Sequence, residues 1–284
     1  MDAQRVPPHV YFAVSAIFHY VGPSFAVLLF ARVDVLGVAW LRIASAALVF
    51  GIWRRPWRAL AGADRTGRLL LLEWGGVLAL MNCCFYEAIS RQPLATVAAI
   101  EFVPVIVLAA IGARRPRNVA ALALAVPGVY LLTGVQLGLQ PLGVAFAVAN
   151  AVLFAVYIVL ADRVAKHASL SGIDGRAAAM VIAAVVVTPL AGRAAAPALG
   201  DPWSLAAGVG VGVSSSVIPY ITDVLALARL ARATYALMVS LLPALATAIG
   251  VLVLTQIPSP AELAGVGLVI AGVAVHREAA VPVI

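Results

Sequence analysis

Charge is scarce in this sequence. Asp, Glu, Lys and Arg make up 11% of its 284 residues, while 64% are hydrophobic. A soluble chain carries roughly 25% charged and about 45–50% apolar residues. There is too little polar surface here to clothe a soluble fold, and the mean hydropathy of +1.06 agrees. Cysteine is scarcer still: Cys83 and Cys84 are the only two. Neighbours on a helix point apart, which excludes a disulfide framework and a thiolate metal site. The patterns HExxH, GxSxG and a GxGD-like aspartate pair are missing. No catalytic residue, cofactor or metal is therefore expected.

Apolar sequence is what the chain has in abundance. About 20 apolar residues cross a hydrocarbon core as a helix. Such windows occur ten times, at about 10–30, 35–53, 69–89, 94–112, 120–138, 141–161, 172–192, 203–225, 234–254 and 261–276. Little is left over, so the expectation is an all-α integral membrane protein of ten transmembrane helices without a soluble domain. The N-terminal stretch reads as a retained first span, not a cleaved signal peptide. The net charge is +7, and its basic residues lie in alternate loops, at 54–68, 113–118, 162–167, 228–232 and 276–278. The intervening loops hold Arg32, Arg91 and Arg193. That asymmetry predicts cytoplasmic N- and C-termini in a bacterial-type inner membrane. Basic clusters this short, on membrane loops, argue against nucleic acid as a partner. The lipid bilayer is the expected surrounding, and a monomer the expected state.

The two halves repeat weakly. "RQPLATVAA" at 91–99 is echoed by "RLARATYAL" at 229–237, and the same offset of 138 pairs Gly112 with Gly250 and Gly134 with Gly272. At a nearby offset of 134, "FAV" at 12–14 returns at 146–148 and Arg42 pairs with Arg176. Five spans per half is an odd number, so the second half enters the membrane inverted. The predicted division is 1–139 and 140–284, two inverted five-helix repeats. Inverted repeats are a construction typical of secondary transporters, which exchange the conformations of their halves.

Two stretches carry a more specific likeness: "FYEAISRQPLATVAAIEFVPVIVLAAIGARRPR" at 85–117 and "IPYITDVLALARLARATYALMVSLLPALATAIGVLVL" at 218–254. Their "AIEF", "PY", "LARL" and "PALA" segments resemble those of the EamA branch of the drug/metabolite transporter superfamily. Within it they are similar to bacterial threonine/homoserine exporters and, in layout, to exporters of aromatic amino acids. The resemblance implies amino-acid export by alternating access through a central cavity, with spans five and ten at the periphery. One departure stands out. "LTQIP" at 254–258 replaces a Gly-Glu pair that many members carry after span nine, so a role for that outer loop is not carried over.

Intramembrane ionisable residues are candidates for function by default. Glu101 lies near the middle of span four, three residues before Pro104, and Pro243 stands at nearly the matching place in span nine. Both prolines are expected to interrupt their helices and act at the gate. Polar residues at similar depth are His19, Asn82, Asn150 and the run Ser214, Ser215 and Ser216. Asn82 and Tyr86 are four apart, hence on one helical face. Together they suit a zwitterion: Glu101 for the ammonium, Asn82, Asn150, His19 and Ser215 for the carboxylate. Tyr86, Phe102, Tyr157 and Tyr220 supply apolar faces for the side chain. Singly, each Ser or Asn serves equally as glue between helices, and His19 as a packing residue. Glu73, Glu87 and Asp223 lie nearer the helix ends, where water is within reach. Arg42 lies about 10 Å into span two and either reaches the interface or pairs with an acid.

The reading that follows is an inner-membrane exporter of neutral and aromatic amino acids, including threonine and homoserine. Efflux of other small metabolites or drugs is its neighbour. A membrane receptor or scaffold and an intramembrane enzyme are the readings from other classes; the first leaves the repeat unexplained and the second lacks a recognisable nucleophile, base or metal pattern.

Overall fold

The computed structural model describes residues 7–112, 116–170, 172–227, 229, 238 and 241–275. All regular structure among them is helical. Helices α1 to α7 run Pro8–Leu29, Val35–Arg54, Arg65–Ile89, Leu94–Gly112, Pro116–Leu139, Pro141–Lys166 and Gly172–Ala191. α8 is made of Pro202–Gly212 and Ile218–Leu227 joined by a π-helical turn, Val213–Val217; α9 is Leu242–Leu254 and α10 Pro260–Val275. Two short helices, Trp57–Gly62 and Ala196–Leu199, sit in connections. Each apolar window read from the sequence is thus helical over its described part. Among the described residues six helices are long and apolar enough to cross a membrane, and the apolar segments Leu94–Pro104, Val119–Leu131, Leu242–Leu254 and Pro260–Val275 are shorter. The outside of the bundle exposes large apolar side chains, among them Leu48, Ile52, Val185 and Leu252, as suits a lipid-facing surface.

Local chemistry sets where the helices begin. Asp34, Asp64 and Asp201 cap α2, α3 and α8, accepting from Leu36 N, Gly67 N and both Trp203 N and Ser204 N respectively. These bonds satisfy amides that have no partner within the helix. The Gly67 amide holds the Asp64 carboxyl below the usual carboxylate range. α6 and α8 open on Pro141 and Pro202, where the missing N–H costs nothing.

The main helix pairings keep their pattern when α1–α5 are exchanged with α6–α10. α3 packs on α6 and α7 as α8 packs on α1 and α2; α4 packs on α6 as α9 packs on α1. α2 with α7, α4 with α9, and α5 with α10 pair counterpart to counterpart. α5 and α10 lie together against α4, and the other helices enclose the centre. Small residues let the helix backbones approach closely. A Cβ on Gly22 of α1 would meet Ser215 Oγ at 2.1 Å and Ser215 N at 2.9 Å. One on Gly212 of α8 would meet Ser45 Oγ at 1.8 Å and the Arg42 carbonyl at 2.7 Å. The π turn of α8 is therefore held tightly against α1 and α2.

Candidate functional site

Several helices bring polar side chains to the centre of the bundle. α4 contributes Glu101, which is 8% exposed and is the one Asp, Glu, Lys or Arg among the described residues that is buried. The Asn150 amide of α6 lies close enough for its dipole to act on the Glu101 carboxyl, yet neither of its polar atoms completes a hydrogen bond. The Tyr20 hydroxyl of α1 is also within electrostatic range of Glu101, is fully buried, and has no partner.

Arg42 of α2 supplies the positive charge. Its Nε donates to Ser216 Oγ at 3.0 Å and its Nη2 to the Ser215 carbonyl at 3.3 Å. The guanidinium carbon lies 5.5 Å from the Tyr86 ring centroid and 6.0 Å from that of Phe85, a cation–π distance. The Tyr86 hydroxyl lies beside Arg42 and Ser215, and both that hydroxyl and Ser215 Oγ are buried without completing a hydrogen bond. His19 is half-buried, packs edge-on to Tyr20 at 5.2 Å, and falls within the field of Arg42. Glu101 likewise feels Arg42, but the two close no ion pair.

The centre is thus an acid and a base held apart, with unsatisfied donors and acceptors on Tyr20, Tyr86, Asn150 and Ser215 between or beside them. Buried polar groups are ordinarily paired, because each one left unpaired costs about 1–3 kcal/mol. Clustered exceptions in one place single out a candidate site.

Residues 141–276 match the EamA-like transporter family. The chain is 32% identical over 255 residues to the threonine/homoserine exporter RhtA of Escherichia coli (strain K12), spanning 88% of this chain and 84% of that protein. The chain belongs to the EamA-like transporter family. A second relative, the threonine/homoserine exporter RhtA of Salmonella typhimurium (strain SL1344), is 33% identical over 240 residues, or 83% of this chain and 79% of its own. One solved crystal structure shares the fold, with a TM-score of 0.60 over 94% of this chain and 96% of that one at 19% identity. The protein is accordingly a multi-pass membrane transporter of the drug/metabolite superfamily.

Against that family frame, the residues singled out from the sequence divide. Glu101, Asn150, His19, Tyr86 and Ser215 come together at the centre. Asn82 is buried on the same face as Tyr86, and its amide donates to the Leu78 carbonyl of its own helix at 2.8 Å. Tyr157 is elsewhere, packed on Trp74 and Phe154 with centroids 5.5 Å and 6.3 Å apart. The expected interruption at Pro104 is not seen: α4 runs through it to Gly112, losing one hydrogen bond at the Ile100 carbonyl without breaking. Pro243 stands in the first turn of α9, a position that tolerates proline. Nearer the ends, Glu73 is exposed and Glu87 pairs with Arg91. Sequence reasoning passed over Tyr20, although it adjoins His19, and left Arg42 undecided, because depth in a helix does not say which neighbour the side chain faces.

Proposed function

We propose that this EamA-like transporter exports neutral amino acids, of the threonine and homoserine kind and with room for aromatic side chains, across the inner membrane. Glu101, with the Asn150 amide and Tyr20 hydroxyl, receives the ammonium group. Arg42, with the Tyr86 hydroxyl, Ser215 and His19, receives the carboxylate. The single observation that carries this reading is that Glu101 and Arg42, within electrostatic range of each other at one centre, form no ion pair, which leaves a carboxyl and a guanidinium for the two ends of a zwitterion. Ten spans in two inverted halves, 1–139 and 140–284, with both termini cytoplasmic, give the alternating-access frame. The main helix pairings, which survive exchange of the halves, support it, as does a family match whose bounds, 141–276, nearly coincide with the second half. The substrates named for the relatives point the same way.

The test is transport of a labelled amino-acid panel into proteoliposomes, with and without an imposed pH gradient. Threonine and homoserine should be carried, and unlabelled substrate on the far side should accelerate exchange, as in a carrier. The corresponding amines without a carboxylate should not be carried. Carriage of such amines, with amino acids refused, would move the reading to general efflux.

A further inference from the structure

A second polar cluster lies away from the centre, at the end of the bundle where the α2–α3 and α6–α7 connections lie. Arg176, in the first turns of α7, places its guanidinium carbon 4.5 Å from the Tyr220 ring centroid and 5.9 Å from that of Trp74. Tyr157 lies on Trp74 with centroids 5.5 Å apart. Among the described residues Arg176 makes no hydrogen bond and no ion pair. The acid two positions away, Asp174, is held by Arg54, whose Nε and Nη2 reach it at 2.9 Å and 2.7 Å. Trp74 is 2% exposed and its Nε1–H has no acceptor. A partly buried cation and a buried N–H, both lacking acceptors and walled by aromatic rings, are a donor set for an anion.

The cluster is also the counterpart of the central one. Arg42 and Arg176 are 134 positions apart, and so are the tyrosines they lie over, Tyr86 and Tyr220. The two clusters share helices. Tyr157 is two turns beyond Asn150 on α6, about 10 Å along the same face, and Tyr220 is four residues beyond Ser216 on α8.

We infer that Arg176, Trp74, Tyr157 and Tyr220 form a second carboxylate site, a vestibule station that takes the carboxylate of an amino acid on its way to the centre. The guanidinium fork and the indole N–H receive the carboxylate oxygens, and the tyrosine rings cover the side chain. The inference rests on the export reading. A site in a vestibule is met from one side of the membrane only, which a structural arginine is not.

The test uses the full chain in proteoliposomes of known orientation, with threonine half-saturation measured separately from each side for wild type, Arg176→Gln and Arg176→Lys. Arg176→Gln should raise the half-saturating concentration about tenfold or more from the side bearing the basic loops, with the opposite side and the maximal rate little changed. Arg176→Lys, which keeps the charge but not the fork, should give a smaller rise on that same side. It carries the comparison if Arg176→Gln does not survive purification. An equal change from both sides, or none, in a wild-type protein that transports threonine overturns the station alone. A wild type that moves no amino acid overturns the export reading and the station with it.

Discussion

Arg42 binds Ser216 Oγ and the Ser215 carbonyl, at 3.0 Å and 3.3 Å, and so ties α2 to the π turn of α8. An arginine has five N–H donors, so donors remain for a ligand carboxylate. Arg42→Gln should weaken binding of threonine by roughly 10–150-fold, the scale of one charge-assisted hydrogen bond. Threonine amide, which offers no carboxylate, should lose far less. Isothermal titration of both ligands on the purified variant separates the cases, and equal losses would point to a loosened α2–α8 contact instead.

Glu101→Gln keeps size and hydrogen-bonding capacity and removes the charge. Affinity for amino acids should again fall by about 10–150-fold, with the melting temperature close to wild type. Measuring both on one sample discriminates: full affinity in a destabilised protein would mean that Glu101 only holds helices together.

How much of this was readable beforehand follows from what kind of signal each feature leaves. Apolar runs of membrane length leave a strong one, and the helices fall where the hydropathy puts them. Glu101, as a carboxyl deep in such a run, announces itself. Arg42 and Tyr20 do not, because the groups that surround them, on α8 and α4, lie far away in the chain. Tyr157 and Tyr86 are equivalent by residue type in the sequence, and only the fold assigns them to different clusters. The π turn has no local signature beyond three serines after a glycine.

Close approach of α1 to α8 depends on Gly22. In Gly22→Ala the new Cβ would stand 2.9 Å from the Ser215 backbone nitrogen, and backbone cannot step aside as a hydroxyl can. A cost of about 1–3 kcal/mol is expected, seen as a lower melting temperature in detergent. Gly51→Ala on α2, where the added carbon meets nothing within 4 Å, should leave the melting temperature unchanged or raise it.

Orientation is testable with reporter fusions. Fusions after Arg68, Arg117 and Lys166 should report cytoplasm, and a fusion after Pro141 should report periplasm. Arg232 is expected on the cytoplasmic side too, although it lies outside the described residues. A cytoplasmic signal at Pro141 would overturn the division into two five-span halves.

The turn Val213–Val217 also governs the aim of everything after it. A π turn houses one residue more than an α turn, and one residue of an α-helix corresponds to about 100° of rotation. That extra residue is what lets a single rod show serines to Arg42 and then a tyrosine ring to Arg176. Removing Val213 would return the rod to a single phase and swing Tyr220 a quarter turn off the guanidinium. Every other side chain of both clusters would still be encoded, but the two could no longer lie along one route.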